Sequence, residues 1–373
     1  MIVPNPFITN GYLSPHYFCD RVEETKLLTR LVTNGNNVAL ISPRRLGKTG
    51  LICHCFGQKD IKENYYTFLV DIYATKNLQE FVYELGKAIL GVLKSRGRKA
   101  WEKFINTIGS LRSNISFDIN GNPEWGLGVG DIKAPEFTLD EIFTYLEHAD
   151  KPCIVAIDEF QIIADYPDNK VEAVLRTRIQ KCRNVWFIYS GSQRHMMSEI
   201  FLSPSRPFYQ STRLMSIDPI SCDKYVEFAQ NLFREYNKEI AREAVIAIYQ
   251  RYDGVTWYLQ SLLNALFTLT ESGIACTEEM IEPAIQQIVT QQGFAYKALL
   301  YQLPPKQKEV LMAICKEGKA INLTSRPFLQ RYHLTASTVQ AAVKGLLEKD
   351  FITHDMDTYT LYDQFFAQWL LQQ

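Results

Sequence analysis

The apolar run Asn37–Ile41 ends in Ser42-Pro43-Arg44-Arg45-Leu46-Gly47-Lys48-Thr49 and passes directly into helical sequence. Few segments of this length constrain a fold so strongly. Backbone amides in such a loop, together with the positive end of the following helix dipole, form a cradle for an anion. Lys48 would reach the β- and γ-phosphates of a nucleotide, and Thr49 would offer its hydroxyl to Mg²⁺. The loop needs a buried strand before it and a helix after it, so the surrounding chain is expected to be an α/β sheet. Ser42, Pro43, Arg44, Arg45, Leu46, Gly47, Lys48, Thr49 and Gly50 are the expected phosphate-binding residues. Ser42 stands where such a loop usually begins with glycine, so either the first turn uses negative φ or nucleotide affinity is weakened.

Four further apolar runs read as buried parallel strands: Thr67–Ile72, Cys153–Ile157, Val185–Tyr189 and Arg213–Ile217. Between the second and third strands, Phe81, Leu85, Ala88, Ile89 and Val92 share one helix face, and Thr138 to Glu141 reads as a capping box opening another helix. The third strand ends in Asp158-Glu159, two acids that are costly to bury unless a cation meets them. Asp158 is expected to hold Mg²⁺ with Thr49, and Glu159 to orient and deprotonate the water that attacks the γ-phosphate. The fourth strand ends in Ser190-Gly191-Ser192-Gln193-Arg194, placing hydroxyls at the sheet edge where Ser190 or Ser192 would sense that phosphate. Arg194 and Arg213 are both candidates to stabilise transition-state charge, within one chain or from a neighbour. Glu159, Lys48, Arg213 and Ser192 form the expected catalytic set.

At 373 residues the chain exceeds what one core usually serves. The expected parts are a core over 1–217, a helical lid over 218–300 and a winged helix-turn-helix over 301–373. Alternation at Ile115, Phe117 and Ile119, then Asn120-Gly121-Asn122, then Trp125, Leu127 and Val129 predicts a hairpin inserted at about 113–131. From Asp218-Pro219 the pattern is wholly helical, with apolar residues at three-and-four spacing in Cys222–Tyr236, Glu239–Arg251, Thr256–Ser272 and Glu278–Gln291. After Pro304-Pro305 come helices over 305–317, 326–332 and 336–349 and two strands meeting at Asp355-Met356-Asp357.

A formal charge of −1 gives no general argument for a nucleic-acid or membrane surface. The winged-helix segment carries eight lysines and arginines against seven aspartates and glutamates, a weak grip for DNA and an equally good protein-contact module. Met1–Leu13 has neither a basic start nor an apolar core, and no run of about 18 apolar residues occurs, so a cytoplasmic location is expected. The eight scattered cysteines read as reduced core thiols, and Cys53-His54-Cys55 is poorly spaced on its helix for a metal.

Taken together, several motifs resemble the archaeal-type ATPases of the STAND class, relatives of AAA+ ATPases. They are Phe18-Cys19-Asp20-Arg21 to Glu24, the Pro-Arg-Arg-Leu-Gly-Lys-Thr loop, Asp158-Glu159-Phe160-Gln161, Ser190-Gly191-Ser192, Pro207 to Arg213, and Tyr252-Asp253-Gly254-Val255-Thr256. The resemblance covers nearly the whole length. It implies a P-loop NTPase parallel sheet with helices on both faces, a helical lid and a C-terminal winged helix, with the fourth strand lying between the phosphate-loop strand and the Asp158 strand. It also implies ATP and Mg²⁺ as cofactors, Phe18 and Arg21 near the nucleotide base, and a nucleotide-controlled switch with slow hydrolysis. The alternatives are a non-hydrolysing nucleotide scaffold, or a DNA-binding regulator acting through the winged helix. Three positions depart from the family: Asp20 and Ser42 stand for glycine, and Thr256 for the proline of a Gly-x-Pro turn.

Overall fold

The computed structural model describes residues 4–119, 121–355 and 357–373, with the backbone alone for 112–114. Met1–Val3, Asn120 of the expected hairpin turn and Met356 of the expected wing turn lie outside the described residues. The chain forms two compact units, Met1–Asn231 with Tyr249–Ser261, and Leu232–Ile248 with Leu262–Gln373.

The first unit is built on five strands: β1 (Val38–Ile41), β2 (Tyr66–Asp71), β3 (Cys153–Asp158), β4 (Val185–Gly191) and β5 (Arg213–Met215). All pair in parallel, in the order β2-β3-β4-β1-β5. Every residue of β3 is buried, which explains its unbroken apolar sequence: a central parallel strand has protein on both faces. Its side chains alternate accordingly. Cys153, Val155 and Ile157 join the core on one face, while Ile154 and Ala156 join the core on the other. The first core is covered by α4 (Leu78–Lys94), the helices Arg98–Thr107 and Pro135–Glu147, and two shorter helices after β3 and β4. The second is covered by α1 (Val22–Thr33), α2 (Lys48–Phe56) and α3 (Lys59–Asn64).

The sheet domain departs from the sequence expectations at two places. The helix containing Thr138 starts at Pro135, whose fixed φ suits the first helical position, so Thr138 lies inside the helix and is not its cap. Thr138 and Glu141 instead hold Ser110, whose hydroxyl meets Thr138 Oγ1 at 3.1 Å and also donates to Glu141. The hairpin is also shorter than its alternation suggests, pairing only Ser116–Phe117 with Pro123–Glu124. Ile119 is exposed there, whereas Leu127 is core. Trp125 leaves the strand pattern because its ring packs on α4 at Gly86, where a Cβ would stand 2.4 Å from Trp125 Cη2.

The second unit contains the helix Ile281–Tyr301 and a C-terminal module of helices Pro305–Glu317, Arg326–Tyr332 and Ala336–Glu348. Three antiparallel strands complete the module, Ala320–Ile321 beside Thr358–Leu361 beside Ile352–Asp355. The segment expected to be wholly helical contains one short parallel pairing, Glu239–Ile240 with Ala275–Cys276. Among the described residues no helix is long and apolar enough to cross a membrane.

Gly86→Ala tests the packing of the inserted segment. Alanine is favoured over glycine in a helix interior by about 1 kcal/mol, but overpacking at this buried position costs roughly 1–3 kcal/mol. A net loss of about 1 kcal/mol in denaturant unfolding is expected, disappearing when Trp125 is also changed to Leu.

Candidate functional site

The strand order brings the carboxyl ends of β1, β3 and β4 side by side, and the loop Ser42–Gly47 crosses that edge into α2. Left-handed φ falls on Arg45 (+69°) and Gly47 (+92°) and not on Ser42. The first turn therefore runs at negative φ, a conformation open to serine. Lys48, at the first position of α2, turns back under the loop, where its Nζ donates to the carbonyls of Ser42 at 2.8 Å and Pro43 at 2.9 Å. Burial lowers the Lys48 pKa to about 8, with Arg44 and Arg194 acting in the same direction and Glu159 and Asp158 opposing.

Thr49 Oγ1 donates to Asp158 Oδ2 at 2.6 Å. Burial raises the Asp158 pKa, against the pull of the Thr49 and Ser190 hydroxyls. A hydroxyl and a desolvated carboxylate in contact are oxygen donors suited to Mg²⁺, so Thr49 and Asp158 fit the role of holding it. Held there, the ion would supply positive charge against that of the nucleotide phosphates.

Glu159 takes φ +55°, and its amide donates to Asp158 Oδ1 at 3.1 Å. Its Oε2 accepts from Ser192 Oγ at 2.8 Å and from Gln161 Nε2. Ser192 Oγ in turn accepts from Arg44 Nε at 2.9 Å. A continuous hydrogen-bonded chain thus joins the phosphate loop, the end of β4 and the carboxylate after β3. Gln161 has no assigned role in the sequence reading, although its place two residues after Glu159 was the available signal. Gly191 leaves room for it, since a Cβ there would stand 2.6 Å from Gln161 Oε1.

Arg45 turns away from this chain. Its guanidinium lies 4.2 Å from the centroid of the Trp257 ring and 5.0 Å from that of Tyr258, and donates to the Tyr258 hydroxyl. One such face-on contact is worth roughly 0.5–2 kcal/mol. Thr256, at the start of the helix Thr256–Leu269, places Oγ1 at 3.5 Å from the Leu46 carbonyl, which also accepts from Arg21 at 3.2 Å. Arg21 is ion-paired to Glu24 at 2.7 Å. Phe18 stacks on His54 of α2, with ring centroids 4.6 Å apart, and the Tyr12 hydroxyl lies 2.9 Å from His54 Nδ1. Gly50 allows this approach, since a Cβ would meet the Phe18 ring at 3.2 Å. Tyr12, Phe18, Arg21, Arg45, Thr256 and Trp257 line a cleft of about 520 Å³ that Lys48, Thr49 and Glu159 also line.

Arg213 is not brought to the site. It pairs with Val38 at the amino end of β1, and its side chain reaches Asn36. The phosphate loop leaves the other end of that strand, three rises or roughly 10 Å away. The expectation that Arg213 acts catalytically within one chain is corrected on this ground. Register along a strand decides the matter, and composition does not reveal it. Of the two candidates, Arg194, which begins the helix Arg194–Leu202 directly after β4, is the one whose charge acts on Lys48, as that of Arg44 also does.

Residues 18–262 match the family described as an ATPase domain predominantly from Archaea, and residues 294–372 match a probable winged helix domain. Among solved structures, a Walker-type ATPase of Pyrococcus abyssi is similar over 98% of this chain and 99% of its own, with 19% identity and a TM-score of 0.67. The ORC1 protein of Aeropyrum pernix in complex with DNA aligns over 99% and 96%, with 14% identity and a TM-score of 0.57. The ORC2 protein of Aeropyrum pernix, in its ADPNP-ADP complexes, aligns over 98% and 97%, with 14% identity and a TM-score of 0.58. At these identities the likeness shows the fold alone. No curated protein matches the chain.

The lowered Lys48 pKa sets a pH dependence. Free Lys48 is charged below about pH 8 and loses its proton above it, whereas a bound polyphosphate favours the charged form. ATP affinity is therefore expected to fall as pH rises through about 8, with binding taking up a proton in that range. Calorimetry in two buffers of different ionisation heat measures the uptake, which Lys48→Ala should remove together with most of the affinity.

Proposed function

The chain belongs to the family of ATPase domains found predominantly in Archaea, and from that premise we propose that it is a slow Mg²⁺-dependent ATPase working as a nucleotide-controlled switch. The observation that carries this reading is the chain from Arg44 through Ser192 to Glu159. A γ-phosphate is a stronger partner for a guanidinium than a serine hydroxyl is, because both groups are charged and the contact can be bidentate. Its arrival would draw Arg44 from Ser192 and loosen the hold on Glu159, which then orients the attacking water. Turnover is slow because Glu159 must first give up Ser192 and Gln161. Arg194 is the in-chain candidate to stabilise charge on the transferred group. In this reading the core over 1–217 reads the nucleotide, and the segments 218–300 and 301–373 carry the response.

A second reading, a DNA contact through the C-terminal module, is favoured by one observation. The helix Ala336–Glu348 presents Ser337, Gln340 and Lys344 as exposed polar side chains, a set suited to base edges and phosphates. The near-neutral charge of the module argues for weak binding. Affinity for duplex DNA that is steep in salt and lowered by Lys344→Ala would support it. Binding insensitive to both would leave a protein-contact element.

Single-turnover phosphate release tests the first reading. Glu159→Gln should slow release by about 10²–10⁴-fold while ATP binding persists, the range expected for losing a general base. Equal release by the natural protein and Glu159→Gln would remove Glu159 from this role. Absence of release by the natural protein, with tight ATP binding, would favour a scaffold that holds nucleotide without hydrolysis.

A further inference from the structure

Two arginines stand side by side in the phosphate loop and are used differently. Arg44 donates to Ser192 across the cleft. The Arg45 guanidinium is covered by the Trp257 and Tyr258 rings and bonded to the Tyr258 hydroxyl. The peptide of Arg45 is tied to the same turn, since the Trp257 amide donates to the Arg45 carbonyl at 3.1 Å. One carbonyl further on, Leu46 accepts from Thr256 and from Arg21. The first turn of the helix Thr256–Leu269 therefore grips the loop at side chain and backbone.

Arg45 is also where the loop departs from ordinary backbone, with φ +69° two residues before Gly47 at +92°. Glycine enters that region freely, whereas an arginine there persists only when its surroundings hold it. Loop amides can converge on one phosphate only if both left-handed residues keep their conformation. We propose that Arg45 is a positioning residue, an anchor caged by Trp257 and Tyr258 that holds the phosphate loop in its nucleotide-binding shape, and not a phosphate ligand. The proposal rests on the nucleotide-binding reading and deepens it. It makes nucleotide affinity depend on a turn whose caging side chains act through the loop, so a shift of that turn is felt as weaker binding.

The experiment compares the full-length natural protein with Arg45→Ala, Trp257→Leu, the double variant and Trp257→Tyr. ATP and ADP affinities are measured by calorimetry, and hydrogen exchange of residues 44–50 is measured without nucleotide. Arg45→Ala and Trp257→Leu should each weaken ATP and ADP by the same factor, about tenfold. The double variant should be no weaker than the poorer single one, because both remove the same contact. Trp257→Tyr keeps an aromatic face and should stay within about twofold of the natural protein. Exchange of the loop amides should quicken in both single variants while protection of β3 is unchanged, which separates a loosened loop from a misfolded chain. A loss for Arg45→Ala that is larger for ATP than ADP, with Trp257→Leu unaffected, would make Arg45 a phosphate ligand and overturn the proposal. Additive losses, or loop exchange unchanged in Arg45→Ala, would overturn it as well. Failure of the natural protein to bind nucleotide would instead sink the underlying reading, and the exchange measurement still reports on the cage.

Discussion

The site depends on a lysine ammonium held under a loop with almost no water around it. Lys48 is met by the Ser42 and Pro43 carbonyls, with the acids Asp158 and Glu159 near enough to favour its charge. Desolvation still prevails and lowers the Lys48 pKa, so a further anion beside it would favour the charged form. Asp158 is in the complementary position, a carboxyl whose pKa burial raises against the pull of the Thr49 and Ser190 hydroxyls. A polyphosphate beside Lys48 and a cation beside Asp158 would each favour the charged form of its neighbour.

That arrangement requires β4 to lie between β1 and β3. With the order β2-β3-β4-β1-β5, Ser190 and Ser192 end between the loop and the acids, so the Ser192 hydroxyl can accept a hydrogen bond from Arg44 and donate one to Glu159. Were β3 directly beside β1, the serines would fall outside the cleft, and loop and carboxylate would have no intermediary. Strand order is thus part of the chemistry as well as of the packing.

The five strands were legible because a buried parallel strand has no polar face, as the fully buried β3 illustrates. Their order was not legible from apolar pattern and came only with the family resemblance. Local signals misled where a competing element had a stronger claim. Pro135 started a helix ahead of the capping sequence at Thr138, and Trp125 found a glycine on α4 that strand alternation does not reveal. Lys48, Thr49, Asp158, Glu159 and Ser192 come together because strand ends and loop fix them within a few residues. Arg213 and Arg45 depended instead on register and on a turn some two hundred residues away, and neither is written locally.

Of the ten non-glycine residues with positive φ among the described residues, four line the cleft or directly neighbour its lining. Asp20, Arg21, Arg45 and Glu159 all take positive φ, and each such residue costs on the order of 1–3 kcal/mol. At three of them a side chain supplies the restraint. Arg21 is fixed by Glu24 and the Leu46 carbonyl, Arg45 by Trp257 and Tyr258, and Glu159 by Ser192 and Gln161. At Asp20, where the family tends to carry glycine, the left-handed conformation is kept without glycine's freedom. Of the two positions that depart from glycine, Asp20 therefore takes a left-handed conformation that glycine would enter freely, whereas Ser42 takes none. Residues held in this way keep their conformation only while the restraining contacts persist.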